Sequence, residues 1–561
     1  MKKILCALAL ILPAAAAELP NILWITSEDN AAHWIGCYGN PQASTPRIDK
    51  LAEGGLRFTR AYSNAPVCAV ARSTILMGAY ATTMGTQHMR SRHPIPTSFR
   101  PYVSYLREAG YYCTNNSKTD YNFRGKDGAL WDECSDKAHY RNRPDGKPFM
   151  AVFNFTTTHE SYLFPRRVTK QRKTGVIPEQ TRLKPAEVVL PPSQPDLPEM
   201  REDAAIYHDC ITAMDKQVGK ILDELEQAGL ADDTIVFYYS DHGGAMARGK
   251  RYLQDSGVRV PMIVHLPEKW RHLAPFTPGS PVEEPVAFVD LAPTVLSLAG
   301  IATPESMQGR AFLGSHRAAP REVEFLFADR FDDIPGMRRG ITDGKFKYIR
   351  CFSPHLAGAP YSSYAFQQQS WKAWQDAAGE GKLKGYHHDI WQTPQPVELL
   401  FDLQADPWEI RNLAGDPQHS ERLTTMRERL RKQMVETHDT GVVPEDMWEE
   451  LAKDGTIHAV VRAEGFDHAG MVDLAFDATT SGDTLPDSVR LAFSSKSPVA
   501  RYWAATACLI RGKSAASAVE DLKRLSSDPF KPVSETAKAA IASIGNAGAN
   551  PDTSPSVPPI K

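Results

Sequence analysis

The stretch TIVFYYSDHG, residues 234–243, is a run of β-branched and aromatic residues that passes directly into Asp241 and His242. Such a run reads as a strand with a carboxylate and an imidazole at its carboxyl end. Two other runs end in the same manner: NILWIT (21–26) passes into Ser27, Glu28, Asp29 and Asn30, and FMAVFNF (149–155) into TTTHE with His159. A fourth run, PMIVHLP (261–267), lies beyond, and the long helical stretch EDAAIYHDCITAMDKQVGKILDELEQAGL separates the second run from the third. Strands alternating with helices predict an α/β fold: a large mixed, mostly parallel sheet flanked by helices, with ligands beyond the carboxyl ends of its strands. Three strand ends therefore deliver acids and imidazoles to one rim.

The 561 residues are 42% hydrophobic and 23% charged, enough for a large core divided into two or three domains. A net charge of -3 offers no broad basic field for nucleic acid or anionic lipid, so an anionic substrate has to be captured locally. MKKILCALALILPAAAAELP at the N-terminus has two lysines, an apolar stretch and an alanine run, the pattern of a signal peptide over residues 1–17. Its apolar part is too short to span a bilayer, which predicts no membrane span and a secreted or periplasmic chain beginning near Glu18. Of eight cysteines, all but Cys6 lie beyond this segment, and the resulting odd number at dispersed spacings is no disulfide framework.

The α/β catalytic domain is expected over residues 18–325. MRRGITDGKFKYIR and VELLFDLQADPWEIRNL then read as strands of a smaller antiparallel sheet subdomain, 326–445, covered by the charged helix ERLTTMRERLRKQMVETH. From 456 to 548 the pattern is helical. Pro498-Val499 recurs as Pro532-Val533, 34 residues on (532 minus 498), and each pair opens an alanine-rich helix, which suits HEAT-like α-helical repeats. Residues 549–561, NPDTSPSVPPIK with its preceding residue, read as a disordered tail.

Glu28, Asp29 and Asp241 at one sheet edge repel one another unless a cation neutralises them. Oxygen ligands favour calcium, magnesium or manganese, and His242 tilts that choice toward the last two. Cations surround this point: Lys118 in NNSKTDYN, Lys250 in MARGKRYLQDSGVRVP, and Arg72, four residues after Cys68 in APVCAVARSTILMGAY (65–80). A metal among fixed cations holds a tetrahedral anion or its ester, so group transfer from phosphorus or sulfur is the leading chemistry.

These residues carry a resemblance. Over roughly residues 20–440 the chain is similar to formylglycine-dependent sulfatases of the alkaline phosphatase superfamily, on Cys68-Ala69-Val70-Ala71-Arg72, STPRIDKLAEGGLRFTRAYS, SDHG followed by DSGVRVPMIV, FVDLAPTVLSLAGI and LFDLQADPWEIRNLA. The resemblance implies an alkaline phosphatase-like fold and conversion of Cys68 to formylglycine by a separate maturation enzyme. It implies one divalent metal, calcium first, on Glu28, Asp29, Asp241, His242 and the modified Cys68. Arg72 would stabilise the formylglycine, Lys118 and Lys250 would hold the sulfate, and His159 would protonate the leaving oxygen. A hydrated aldehyde suits this chemistry, because one hydroxyl attacks sulfur and the other expels sulfate by re-forming the carbonyl, so cleavage is at S–O.

The sequence departs from the family pattern twice: Val70 replaces the usual proline of the maturation motif, and Asp120 stands where many relatives have histidine. Asp120 either assists sulfate elimination or pairs with Lys118. His88 and Arg90 in MGTQHMRSRHP either line a pocket for a sulfated sugar or belong to a solvated loop. Trp371, Trp374 and Trp391 read as a sugar-stacking wall or as the packing of an insertion. The leading function is an exported sulfatase acting on a sulfated carbohydrate. The alternatives are a phosphodiester or phosphonate monoester hydrolase using the same site, and an unconverted, inactive glycan-binding relative whose helical repeats engage a protein partner.

Overall fold

The computed structural model describes residues 18–545 apart from 126, 454 and 481. The expected signal peptide (1–17) and tail (549–561) lie outside the described residues. In chain order the strands are β1 Asn21–Ser27, β2 Leu56–Phe58, β3 Ala61–Tyr62, β4 Tyr112–Asn116, β5 Glu133–Cys134, β6 Phe149–Phe155, β7 Thr234–Ser240, β8 Met262–His265, β9 Pro281–Val282, β10 Val286–Ala287, β11 Glu324–Ala328, β12 Arg338–Thr342, β13 Phe346–Cys351 and β14 Glu398–Asp402.

The large sheet has the order β5-β4-β6-β1-β7-β8-β2-β9, with β3 and β10 forming a separate ribbon. From β5 to β7 all neighbours are parallel, and β8 alone runs antiparallel to both of its partners. Every residue of β1 and β7 is buried, as strands covered on both faces require. Alternation divides them between two cores: Ile22 and Trp24 pack with the helices Cys68–Met77 and Leu291–Leu298, while Leu23 and Ile25 pack with the long helix Pro198–Gln227.

The smaller sheet is the antiparallel series β11-β12-β13-β14, with the helix Ser420–Thr437 beside it. The helices Ile457–Val460, His468–Ala478, Asp487–Ala492, Pro498–Arg511, Val519–Leu525 and Lys531–Gly545 follow. Pro498 and Pro532 both fall in the first turn of a helix, where a missing N–H costs nothing. These helices share one apolar core with the small sheet: the Phe352 ring lies 5.3 Å from that of Phe476 and 6.3 Å from that of Trp503. Among the described residues no helix is long and apolar enough to cross a membrane, and the seven cysteines are free.

An insertion between β13 and β14 contains the helix Gln369–Gly379. Trp371 and Trp374 are buried in it, stacked at 5.8 Å with the Trp391 edge against both, so they pack the insertion and present no stacking face. Asp203 of the long helix caps this insertion helix by accepting the Ser370 N–H at 3.0 Å. Burial raises the Asp203 carboxyl from 3.8 to about 6, despite the hydrogen bonds from Ser370 and Gln368 that oppose the rise. The folded state thus binds this proton more tightly than the unfolded state. The resulting penalty is absent below the unfolded value, grows between 4 and 6, and is complete above 6. Asp203→Asn keeps the acceptor and removes the charge, so it is expected to stabilise the fold at pH 8 by roughly 1 to 3 kcal/mol and to leave stability at pH 4 unchanged, as read by urea unfolding at both values.

Candidate active site

Ser27 pairs with Ser240 in the β1–β7 register and with Phe155 in the β1–β6 register, so the residues that follow leave the sheet side by side. Asp241 N–H donates to the Ser27 carbonyl at 3.0 Å, and Glu28 N–H to that of Phe155 at 3.1 Å. Asp29 then adopts a φ of 46°, in the left-handed region that residues with a Cβ seldom visit. Several contacts hold it there. Its own N–H donates to Asp241 Oδ1 (3.1 Å), the Glu160 N–H donates to its Oδ2 (2.7 Å), and the Tyr207 hydroxyl donates to its carbonyl. Strain over-determined in this way concentrates at functional sites.

Glu28, Asp29, Asp241 and His242 are all wholly buried. One ligand atom each of Asp29, Asp241 and His242 lie within 4.8 Å of one another. His242 Nδ1 lies 3.1 Å from the Gly243 carbonyl, which assigns the proton to Nδ1 and leaves the Nε2 lone pair free. That lone pair sits 3.0 Å from Asp29 Oδ1 without forming a hydrogen bond. Lone pairs facing one another in a buried site are unfavourable unless a cation lies among them, so the donor set fits a divalent ion.

Cys68 is the first residue of the helix Cys68–Met77, all ten residues of which are buried. Its side chain therefore lies at the positive end of the helix dipole. Burial pushes the Cys68 thiol up to about 12, against the pull of Lys118 and Lys250. One turn on, Arg72 donates to Asp241 Oδ2 (3.2 Å), Glu28 Oε1 (3.3 Å) and Asn154 Oδ1 (2.6 Å). Lys118 pairs with Glu28 and stands 3.7 Å from Asp120 Oδ2. Despite burial, Lys118 and the Cys68 thiol hold the Asp120 carboxyl below its usual range.

On the opposite side, Lys250 Nζ lies 3.0 Å from Asp29 Oδ2, 3.1 Å from His159 Nε2 and 3.1 Å from Glu160 Oε1. His159 Nδ1 lies 2.8 Å from the Ser161 hydroxyl and 3.2 Å from the Ser161 N–H, while Nε2, the nitrogen facing the site, meets the Lys250 ammonium, which can only donate to it. Burial and the Lys250 charge both lower the His159 pKa from its ordinary value. A buried carboxylate–cation ring with a thiol on a helix terminus and an imidazole in contact with a lysine ammonium can bind a tetrahedral oxyanion, stabilise charge on it and relay a proton to a leaving oxygen.

The sulfatase family model matches residues 20–301. An ulvan-active sulfatase of Formosa agariphila is 36% identical over 467 residues, 76% of this chain and 77% of its own. The chain belongs to the sulfatase family. It is an enzyme of the sulfuric ester hydrolase class. Human N-sulphoglucosamine sulphohydrolase is 24% identical to this sulfatase, covering 79% of its chain and 95% of the human one. A protein solved in complex with its substrate D-glucosamine-2-N,6-O-disulfate shares the fold, with a TM-score of 0.54 at 17% identity over 75% of this sulfatase and 99% of that chain.

The sulfatase thus brings Glu28, Asp29, Cys68, Arg72, Lys118, Asp120, His159, Asp241, His242 and Lys250 into one site. His88 does not join them. It is buried against Trp448, ring centroids 4.9 Å apart, with Nδ1 3.4 Å from Glu445, because the chain returns from the smaller sheet to cover it. Arg90 lies at the rim with 60% of its side chain exposed, between Asp120 (3.9 Å) and Asp332 (3.6 Å). Asn154, Glu160 and Arg251 were not expected in the site. Arg251 grips Glu160 through two 2.8 Å hydrogen bonds, so Glu160 joins the Lys250 side of the site to Arg251. The signals were present: Asn154 is a polar residue inside an apolar strand, and Glu160 and Arg251 directly follow His159 and Lys250.

Proposed function

We propose that this sulfatase is exported and hydrolyses sulfate esters of a poly- or oligosaccharide, with S–O cleavage, through a formylglycine that a maturation enzyme makes from Cys68. The observation that carries this reading is the convergence of Arg72, Lys118, His159 and Lys250 on the buried carboxylates beside Cys68. A pure binding protein has little use for that whole set. The carbohydrate class is supported by the relative that is 36% identical over 467 residues, an ulvan-active sulfatase.

Glu28, Asp29, Asp241 and His242 would hold the metal, taken as calcium with magnesium or manganese as the alternatives, and the bound ion supplies Lewis-acid stabilisation of the ester oxygens. The formylglycine, as its hydrate, supplies an oxygen nucleophile for sulfur and a second hydroxyl that lets sulfate leave. The remaining work falls to this chain's own side chains. Arg72 fixes Glu28 and Asp241 beside position 68. Lys118 and Lys250 place their ammonium groups where charge grows on the sulfuryl oxygens. His159 Nε2, which the Lys250 ammonium faces at 3.1 Å, would take up a proton from that side and pass it to the bridging oxygen as the sugar departs.

Matched 4-nitrophenyl sulfate and 4-nitrophenyl phosphate test the reaction class, and sulfated oligosaccharides, ulvan fragments among them, test the substrate class. Sulfate turnover at least 100-fold above phosphate turnover is expected, with sulfate released from at least one oligosaccharide, a gap of about 2.7 kcal/mol in barrier. Preference for the phosphate ester would overturn the proposal.

A further inference from the structure

A line of alternating charges leads from the metal-binding carboxylates to the protein surface. Asp29 meets Lys250 at 3.0 Å, Lys250 meets Glu160 at 3.1 Å, Glu160 meets Arg251 at 2.8 Å, and Arg251 Nε meets Asp332 Oδ2 at 3.0 Å. The inner members are satisfied on every side. The outer end is not: Asp332 commits Oδ2 to Arg251, whereas Oδ1 faces Arg90 across 3.6 Å, beyond hydrogen-bonding range. Arg90 is equally loose toward Asp120 at 3.9 Å. Polar groups held at such separations have hydrogen-bonding capacity left for a hydroxyl or water that sits alongside and meets both.

The position of this gap is informative. His159 must approach the bridging ester oxygen, so the alcohol portion of the substrate lies beside His159. Glu160, the next residue, leads through Arg251 to Asp332 on that same side. Asp332 belongs to the loop after β11, outside the matched residues 20–301, and its φ of 51° is in the left-handed region. Its side chain is only 14% exposed, so its free oxygen is pre-aimed and loses little entropy on binding.

We infer that Asp332 is a specificity-determining residue, whose Oδ1 accepts a hydrogen bond from a ring hydroxyl of the sugar that carries the sulfate while Arg90 donates to a neighbouring oxygen. Arg251 holds Asp332 in place as a positioning residue. The inference rests on the carbohydrate reading above, and it assigns the recognised feature as a free hydroxyl next to the ester carbon's side of the ring.

The test compares wild type, Asp332→Asn and Asp332→Ala on two probes: 4-nitrophenyl sulfate, which has no ring hydroxyl, and the ulvan oligosaccharide fraction that the wild type desulfates. The expected result is a fall in kcat/KM on the oligosaccharide at least tenfold larger than the fall on 4-nitrophenyl sulfate, carried mainly by KM. Equal falls on both probes would show that Asp332 only braces Arg251, and would overturn the inference. Should Asp332→Ala fail to fold, Asp332→Asn preserves the shape and carries the comparison alone. A wild type that turns over 4-nitrophenyl sulfate but no sulfated oligosaccharide would instead overturn the carbohydrate reading, and this inference with it.

Discussion

Cys68→Ala is expected to abolish sulfate release, lowering kcat/KM by about 10⁴-fold or more, while the protein folds and melts close to wild type. The two halves of this expectation come from different links. Cys68 is fully buried at the start of a helix whose residues are all buried, and alanine fits there with the loss of a single sulfur atom, which costs on the order of 1 kcal/mol. Catalysis loses the nucleophile at the point where Arg72, Lys118 and Lys250 converge. The cations and His159 would remain, so binding of a sulfate ester should survive. Sulfate release assayed with scanning calorimetry checks both halves, and retained turnover would place the nucleophile elsewhere.

Removal of the divalent cation is expected to cost at least 100-fold in activity and several degrees in Tm. Glu28, Asp29 and Asp241 are buried carboxylates within one ring, and the Nε2 lone pair of His242 points among them without a hydrogen bond. Arg72, Lys118 and Lys250 offset that charge from the flanks, yet none of them donates to His242 Nε2. An ion present at a hundred times its Kd stabilises the folded state by about 2.7 kcal/mol, and chelation removes that contribution. Dialysis against EDTA followed by calcium, magnesium or manganese identifies the ion by which one restores both activity and Tm. Full activity after exhaustive chelation would contradict the metal assignment.

The central fold and most of the site were legible because one physical rule served both. Fully apolar strands such as NILWIT and TIVFYYS have to lie inside a covered parallel sheet, and the sheet's register then sets Glu28 beside Asp241 with no further information needed. The helix terminus at Cys68 and the Pro-Val helix starts were likewise local signals. Contacts that depend on distant chain returns were not legible. His88 and Arg90 are two residues apart, yet one is buried beneath Trp448 and Glu445 while the other faces solvent, and only the path of the chain after the small sheet decides which. Asp332 joins the site from more than 80 residues beyond Arg251, a pairing that no spacing in the sequence announces. The tryptophans of the insertion carried an ambiguity that composition cannot resolve, since a sugar-stacking wall and a packed core use the same residues.

The most direct test of formylglycine at position 68 is the mass of the tryptic peptide that contains Cys68, taken from protein exported by a host with a formylglycine-generating enzyme. The expected peptide is lighter than the encoded one by about 18 Da, the change from thiol to aldehyde, in proportion to specific activity. A fully active preparation whose peptide carries only unmodified cysteine would contradict it.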